Sequence, residues 1–550
     1  MTAIAVRPFD ICGPLPTGVT MLEASAGTGK TFTIAGLAAR YVAEGTPLDQ
    51  LLLVTFTRMA TGELRDRVRE RLVAVEQGLS RALAGAEPAD EVVALLARGA
   101  PDTVRARRDN LSHALADFDA ATIATTHGFC QEVLSGLGVV GDVDPGTEFV
   151  EDLDDLLEEV VDDLYVRRFH QLGLPQFERR EAMQIARAAV ENPTAPVVPA
   201  AAPEESIAAM RVRLALRVRD ELEARKRRGE VMTYDDLLTR LQGTLEGPSG
   251  AAAARRLRER YGVVLVDEFQ DTDPVQWDIL RLAFAEGGVT LVLIGDPKQA
   301  IYAFRGADVY AYLAAARAAG ERATLDVNWR SDQALIDAYD ALFGNARLGH
   351  EGIEYRRVRA AEAHRGPGLQ DAPTSAPLRL RLVPRSEVDT TPRGYARAPA
   401  ARDHIAADLA GCLVDLLSSP ATVRCEDGRR EPIRPGHVAV LVRTHRTGAL
   451  VRDALGAAGI PAVIGGAGSV FGAAPAQDWL VLLEALERPA SSPHARSVAL
   501  TRFLGWSAEQ LAAATEGEWE EVHRRLHGWA QVLRTRGVAA LLEAVTQAEG

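Results

Sequence analysis

The sequence predicts an α/β fold: parallel sheets organised around a phosphate-binding loop and interrupted by helical insertions. Three observations support it. Short apolar runs rich in β-branched residues recur along the chain, each ending in polar residues and separated by helical stretches. Continuous runs of this kind belong to strands buried on both faces, as in a parallel sheet. Residues 24–31 read Ala-Ser-Ala-Gly-Thr-Gly-Lys-Thr, a glycine-rich turn of the type that cradles phosphates. Long amphipathic tracts then separate that turn from the next strong acidic motif, far more chain than a compact phosphate-binding domain needs.

Val19-Thr20-Met21-Leu22 predicts the strand before the loop, and residues 32–40 the helix after it. Ala24 stands in the first glycine position of the loop pattern. Backbone N–H groups at the helix start, aided by the helix dipole, hold an anion. Ala24, Ser25, Ala26, Gly27, Thr28, Gly29, Lys30 and Thr31 are therefore the candidate phosphate cradle. Lys30 is one of three lysines, with Lys226 and Lys298, among 62 basic residues. A compact ammonium fits within a ring of phosphate oxygens where a guanidinium does not.

Further strands are predicted at residues 51–54 before Thr55-Phe56-Thr57, at 121–124 before Thr125-Thr126-His127, and at 263–266 before Asp267-Glu268. Others fall at 291–294 before Gly295-Asp296 and at 438–442 before Arg443-Thr444. Ligands of such sheets bind beyond the carboxyl ends of the strands, where these polar clusters fall. Between the strands, Glu151–Tyr165 places Leu153, Leu156, Leu157, Val160, Val161 and Leu164 on one helical face, which predicts a surface helix with a solvated acidic face. Arg211–Gly229 carries eight basic and three acidic residues. A solvated face is its default reading and a phosphate-contacting helix the alternative. Proline- and glycine-rich breaks near 193–203, 243–250 and 366–399 mark linkers or insertions.

The 550 residues suggest three or four domains, and 47% hydrophobic content is ample for packed cores. A formal charge of −14 argues against a chain-wide electrostatic grip on nucleic acid but leaves room for a local basic groove. Cys12, Cys130, Cys412 and Cys425 form no Cys-x-x-Cys pair, which argues against a zinc site or disulfide scaffold and fits a reducing cytoplasm. There is no apolar run long enough to span a bilayer and no apolar signal core at the start.

The chemistry concentrates in three places. At the end of one strand, Asp267 suits Mg²⁺ beside the Thr31 hydroxyl, and Glu268 can orient or deprotonate an attacking water. Gly295–Asp308 follows another strand. Gln299 can bond to a γ-phosphate and to that water, and Tyr302 and Phe304 offer faces on which unpaired bases stack. In Asn328-Trp329-Arg330-Ser331, Arg330 is a candidate arginine finger and Trp329 a stacking platform for adenine or a base.

In this order, these residues resemble superfamily 1 helicases of the UvrD/Rep type. The resemblance also includes Thr55-Phe56-Thr57, Thr126-His127-Gly128-Phe129 and Thr233-Tyr234-Asp235-Asp236-Leu237-Leu238, and covers roughly residues 5–510. Phe9-Asp10, Gly13-Pro14-Leu15-Pro16 and the run Leu22–Ala35 look like the RecB branch, the beta subunit of exodeoxyribonuclease V. The absence of glutamine from residues 1–49 counts against UvrD and Rep proper.

The resemblance implies an ATP-hydrolysing DNA helicase translocating 3′→5′, with two RecA-like domains binding ATP between them. It assigns hydrolysis to Lys30, Thr31, Asp267, Glu268, Gln299 and Arg330, with ATP and Mg²⁺ as cofactors. DNA contacts fall to Thr55, Phe56, Thr57, Thr126, His127, Phe129, Tyr302, Phe304 and Arg305. It implies single-stranded and duplex-end DNA, and RecC-like and RecD-like subunits, as partners, with no membrane. It divides the chain into a first RecA-like domain at 1–138 and 251–322, with a helical insertion at about 75–118, and a helical accessory domain at 139–250. Residues 323–482 would begin the second RecA-like domain and 483–550 a second accessory domain. Nothing after residue 466 matches the two later motifs of the family or its nuclease domain. The expectation is an N-terminal part of a longer protein or a truncated product, weakly active alone. A stand-alone UvrD-like helicase and a non-motor DNA-binding scaffold are the alternatives.

Overall fold

The computed structural model describes residues 6–88, 90–137, 148–150, 153–170, 175–192, 195–201, 203–204, 206–303, 306–344, 346, 348–425, 427–466 and 469–547. They fall into two compact units, Met1–Gly368 and Leu369–Gly550.

The first unit is built on a seven-stranded sheet: β1 (Arg7–Pro8), β2 (Val19–Ala24), β3 (Leu51–Thr55), β4 (Thr122–Thr125), β5 (Val263–Val266), β6 (Thr290–Gly295) and β7 (Glu321–Leu325). The spatial order is β1-β7-β2-β6-β5-β3-β4 and every pairing is parallel. Successive side chains of a strand point to opposite faces, and here both faces are buried. Met21, Leu52, Val54, Val264, Val266, Leu291 and Leu293 enter one core. Leu22, Leu51, Leu53, Val263, Leu265, Val292 and Ile294 enter the other. This explains why the strands read as unbroken apolar runs. Each fully buried aliphatic side chain contributes about 1.5–3 kcal/mol; the edge strand β1 and its neighbour β7 are less buried and carry Arg7, Glu321 and Arg322.

Helices Lys30–Ala43, Arg58–Leu83, Glu91–Leu96 and Pro101–Ala116 cover the second face through Ile34, Leu37, Val68, Leu72, Val93 and Leu111. The segment expected as an insertion at about 75–118 is thus a layer over the sheet, and its first helix begins at Arg58. Helices Thr126–Leu137, Tyr234–Glu246, Gly250–Arg260, Pro274–Phe284 and Val309–Ala318 cover the first face.

The helices Asp154–Phe169, Arg179–Glu191 and Ile207–Arg228 share a separate core that includes Leu157, Val160, Val161, Ala186, Val218 and Leu222. Leu237, Leu238, Leu241 and Leu245 pack into the sheet core instead. The separately packed helices therefore end near Gly229, short of the boundary expected at 250. The charged faces are spent on internal pairing. Arg179 bonds Asp162 at 2.6 Å and also Glu158, and Arg225 bonds Asp163 and Glu221. Arg219 donates to the carbonyls of Ala189, Asn192 and Ala195. The acidic face of Asp154–Phe169 stays exposed, as expected, and also meets arginines.

β7 lies between β1 and β2, so this sheet takes in residues expected to open the second RecA-like domain. In the second unit, Leu369–Gln370, Thr422–Arg424 and Arg430–Pro432 form an antiparallel sheet. Helices Ala398–Leu417 and His445–Ala457 share the core Ala406, Ala410, Leu413, Val451 and Leu455. A further core joins helices Ala474–Glu487, Ser492–Ala499 and Glu516–Gln547 through Leu482, Val498, Leu526 and Leu541. The strand expected at 438–442 does not form, and Leu441 is 95% exposed. A β-rich run becomes a strand only against a neighbour, and none of the described strands pairs with it.

Candidate nucleotide-binding site

Because all seven strands run the same way, their carboxyl ends share one edge of the sheet. Ala24 ends β2 there, and the loop that follows turns at Gly27 (φ 78°) and Gly29 (φ 87°) into helix Lys30–Ala43. Both angles are left-handed and favour glycine. Thr28 is buried and its hydroxyl donates to the Ser25 carbonyl at 2.7 Å. The helix start has no capping side chain, so its backbone N–H groups stay available to an anion.

The segment after β7 is bonded directly to this loop. Asn328, itself buried, donates from Nδ2 to the Ala26 carbonyl at 3.0 Å. Its Oδ1 accepts from the backbone N–H groups of Arg330 and Ser331 at 2.9 and 2.8 Å. Trp329 N–H donates to the Gly27 carbonyl at 2.7 Å. A Cβ on Gly27 would lie 2.8 Å from Asn328 Oδ1 and 2.9 Å from Arg330 Cβ, so glycine is required for close approach as well as for its φ. Arg330 is thereby held against the loop with its side chain exposed. Trp329 is 63% exposed and borders a cavity of about 710 Å³ with Phe9, Ile11, Thr28, Gly29 and Phe32.

Lys30 Nζ lies 2.7 Å from Glu268 Oε2. Glu268 is a non-glycine residue at φ 50°, and its N–H donates to Asp267 Oδ1 at 2.9 Å. Desolvation at the end of β5 and the neighbouring Glu268 charge push the Asp267 carboxyl up to about 6. Asp271 is raised to about 6 for the same two reasons, and its Oδ1 is buried without a hydrogen-bond partner. Crowded carboxylates of this kind gain from a cation. Loop, lysine and carboxylates together fit a nucleotide polyphosphate and a divalent ion. No cluster of three metal-ligating His, Cys, Asp or Glu side chains occurs among the described residues.

Gln299 lies one short turn beyond β6. Its Nε2 donates to Asp296 Oδ2 at 2.9 Å. Only the amide nitrogen can face a carboxylate, so the Gln299 oxygen is left to accept. Lys298 lies between Asp296 (2.7 Å) and Glu23 (3.1 Å). Lys226, on the basic helix, is paired with Asp236 at 2.7 Å.

Three residues escaped the sequence reading. Gln270 is buried. It donates to Glu268 Oε2 at 2.7 Å and accepts from Asp296 N–H at 2.9 Å, joining the two acidic motifs. Its position inside Asp-Glu-Phe-Gln-Asp was the available signal. Arg71 and Asp90, bonded at 2.7 and 3.1 Å, flank the cavity, with the guanidinium 5.0 Å from the Phe32 ring. Burial raises the Asp90 pKa, but the Arg71 bonds and two helix N–H groups hold it below the usual carboxylate range. No short-range pattern in the sequence links residues 32, 71 and 90.

The residues expected to meet DNA divide. Phe56 and Tyr302 stack on one another, centroids 5.4 Å apart. His127 lies 3.6 Å from Asp235, and Arg58 donates to the Tyr234 hydroxyl at 3.0 Å. Phe56, Arg58, Thr125, His127, Thr233 and Tyr234 line a cavity of about 960 Å³. Thr57 caps helix Arg58–Leu83, and Thr126 opens helix Thr126–Leu137. Phe129 does not reach this face: it is wholly buried against Tyr261 and Phe284. Thr55 is also buried, as the last residue of β3. Phe304 and Arg305 lie outside the described residues.

The family model described as the UvrD/REP helicase N-terminal domain matches residues 11–319. The RecBCD enzyme subunit RecB of Mycolicibacterium smegmatis is 47% identical over 543 residues, 98% of this chain and 48% of that protein. RecB of Mycobacterium tuberculosis (strain H37Rv) is 45% identical over 541 residues, again 98% and 48%. RecB of Escherichia coli (strain K12) is 28% identical over 662 residues, 96% and 55%. The chain spans about half the length of these relatives.

Proposed function

The chain belongs to the UvrD/REP helicase family, and on that premise we propose that it is the ATP-driven motor part of a RecB-like subunit acting on DNA ends in break repair. The observation that carries the reading is the convergence, at one sheet edge, of Lys30, Asp267, Glu268 and the segment Asn328–Arg330 bonded to the loop. ATP with Mg²⁺ is the cofactor pair. Bound Mg²⁺ supplies charge neutralisation between phosphates.

In this reading the chain's own residues do the following. The loop amides and Lys30 hold the phosphates. Asp267 and Thr31 hold the ion. Glu268 accepts the proton of the attacking water, and the Gln299 oxygen orients that water. Arg330 stabilises charge that develops on the transferring group. Trp329 and Phe32 offer faces for the adenine. Single-stranded DNA would cross the face holding Phe56, His127 and Tyr302, without sequence readout.

RecC-like and RecD-like subunits are the proposed partners, after the relatives' printed name RecBCD. No described helix is long and apolar enough to cross a membrane, and the cytoplasm is the proposed location. The similarity to RecB over nearly the whole chain favours this branch over a stand-alone UvrD-like enzyme. The test is DNA-stimulated ATPase of the full-length protein. Lys30→Ala should abolish it while the protein stays folded. Unaltered turnover in that variant would refute the motor reading and favour a DNA-binding scaffold.

A further inference from the structure

Glu23, the penultimate residue of β2, is a carboxylate buried inside the sheet. It pairs with Gly295 of β6 and Thr324 of β7 in register. A buried charge at that position costs several kcal/mol unless it is compensated, and here two cations compensate it. Lys298 Nζ lies 3.1 Å from its Oε1, and Arg356 Nε 2.6 Å from its Oε2. Lys298 is shared with Asp296 at 2.7 Å. The buried set is balanced, two carboxylates against two cations, and Arg356 also reaches the exposed Glu354 at 3.2 Å. Asp296 in turn fixes the Gln299 amide, and its N–H meets Gln270, which holds Glu268. Arg356 lies on the segment that follows Asn328. That segment is therefore tied to the β2 end twice, by Asn328 at the loop and by Arg356 at Glu23.

We propose that Glu23 and Arg356 are positioning residues of the hydrolytic site. Acting through Lys298 and Asp296, they fix the acceptor face of Gln299 and tie it to the segment that carries the chain out of the first unit. This rests on the ATPase reading above. A shift of the Arg356 segment moves Glu23 and releases Lys298 toward Asp296, so Gln299 loses its set orientation. Phosphate contacts are untouched, so the effect falls on turnover and not on nucleotide affinity.

The experiment uses the full-length protein with Glu23→Gln, Arg356→Met and the double variant, read by melting temperature and by DNA-stimulated ATPase. Each single change strands a buried charge and lowers the melting temperature. The double is neutral again and should recover it. A purely structural pair would recover turnover too. A positioning pair leaves the double with kcat reduced about tenfold and ATP KM within about twofold. In a Gln299→Ala background the double should cost nothing further, because both act through one residue. Recovery of kcat in the double, or full additivity with Gln299→Ala, overturns the proposal. So does a double that stays destabilised, since charge balance is its premise. Absence of DNA-stimulated ATPase in the unmodified protein instead sinks the motor reading itself.

Discussion

Lys30 Nζ sits 2.7 Å from Glu268 Oε2, so the cation suited to phosphate and the carboxylate suited to water neutralise one another. In the proposed site, nucleotide would draw Lys30 away and free Glu268. Glu268→Gln weakens the competing partner while keeping its shape. It should tighten ATP binding severalfold and slow hydrolysis at least about a hundredfold, the range for loss of a general base. Equilibrium binding and single-turnover hydrolysis check both halves.

Burial and the neighbouring Glu268 charge push Asp267 up to about 6 from an ordinary 3.8. Below about 6 it keeps its proton in the folded chain, and divalent-ion affinity should fall as pH drops through that value. The raised pKa also means that the nucleotide-free fold pays for ionisation as pH rises from about 4 to 6. Asp267→Asn should therefore raise stability at pH 7.5 by up to about 3 kcal/mol and have little effect near pH 4. Thermal melts across that range, with Mg²⁺ titrations, test it.

Gly27→Ala should cost more than its φ strain alone, because the added methyl meets Asn328 and Arg330 under 3 Å. Loss of nucleotide binding with a drop in melting temperature is expected, whereas Gly45→Ala, with φ 108° and open space around it, should leave nucleotide binding intact.

Phe56 and Tyr302 stack on each other and should act as one platform. Tyr302→Ala should weaken single-strand binding by about 1–3 kcal/mol. Adding Phe56→Ala should cost less than the sum. Phe129→Ala should instead destabilise the fold by about 3–5 kcal/mol. Fluorescence anisotropy with a short oligonucleotide and thermal melts separate the two behaviours.

The sheet was legible because both of its faces are buried: Leu51–Val54 and Val263–Val266 are apolar throughout, and the polar residues begin where the strands end. The loop lysine and the acidic pair were legible for the same reason, since each follows a strand. The part that Asn328 plays was not, because its side-chain amide bonds the Ala26 carbonyl, a contact that no local pattern encodes. Phe129 misled because aromatic character alone does not distinguish a core ring from a stacking platform. Residues 438–442 misled because strand formation depends on a neighbour. Arg211–Gly229 keeps Arg211, Arg213, Arg217, Arg227 and Arg228 exposed, in line with its default reading as a solvated face, while Arg225 also pairs with Asp163, distant in sequence.

All three lysines are spoken for. Lys30, Lys226 and Lys298 are 12%, 7% and 15% exposed, each within 2.7 Å of a carboxylate. The accessible positive charge of the described surface is thus guanidinium, not amine. Acylating reagents and lysine-directed modifying enzymes would find almost nothing to grip while the fold is closed. Any amine labelling at Lys30 would then report the breaking of its pair with Glu268, a chemical readout of site opening that needs no engineered probe.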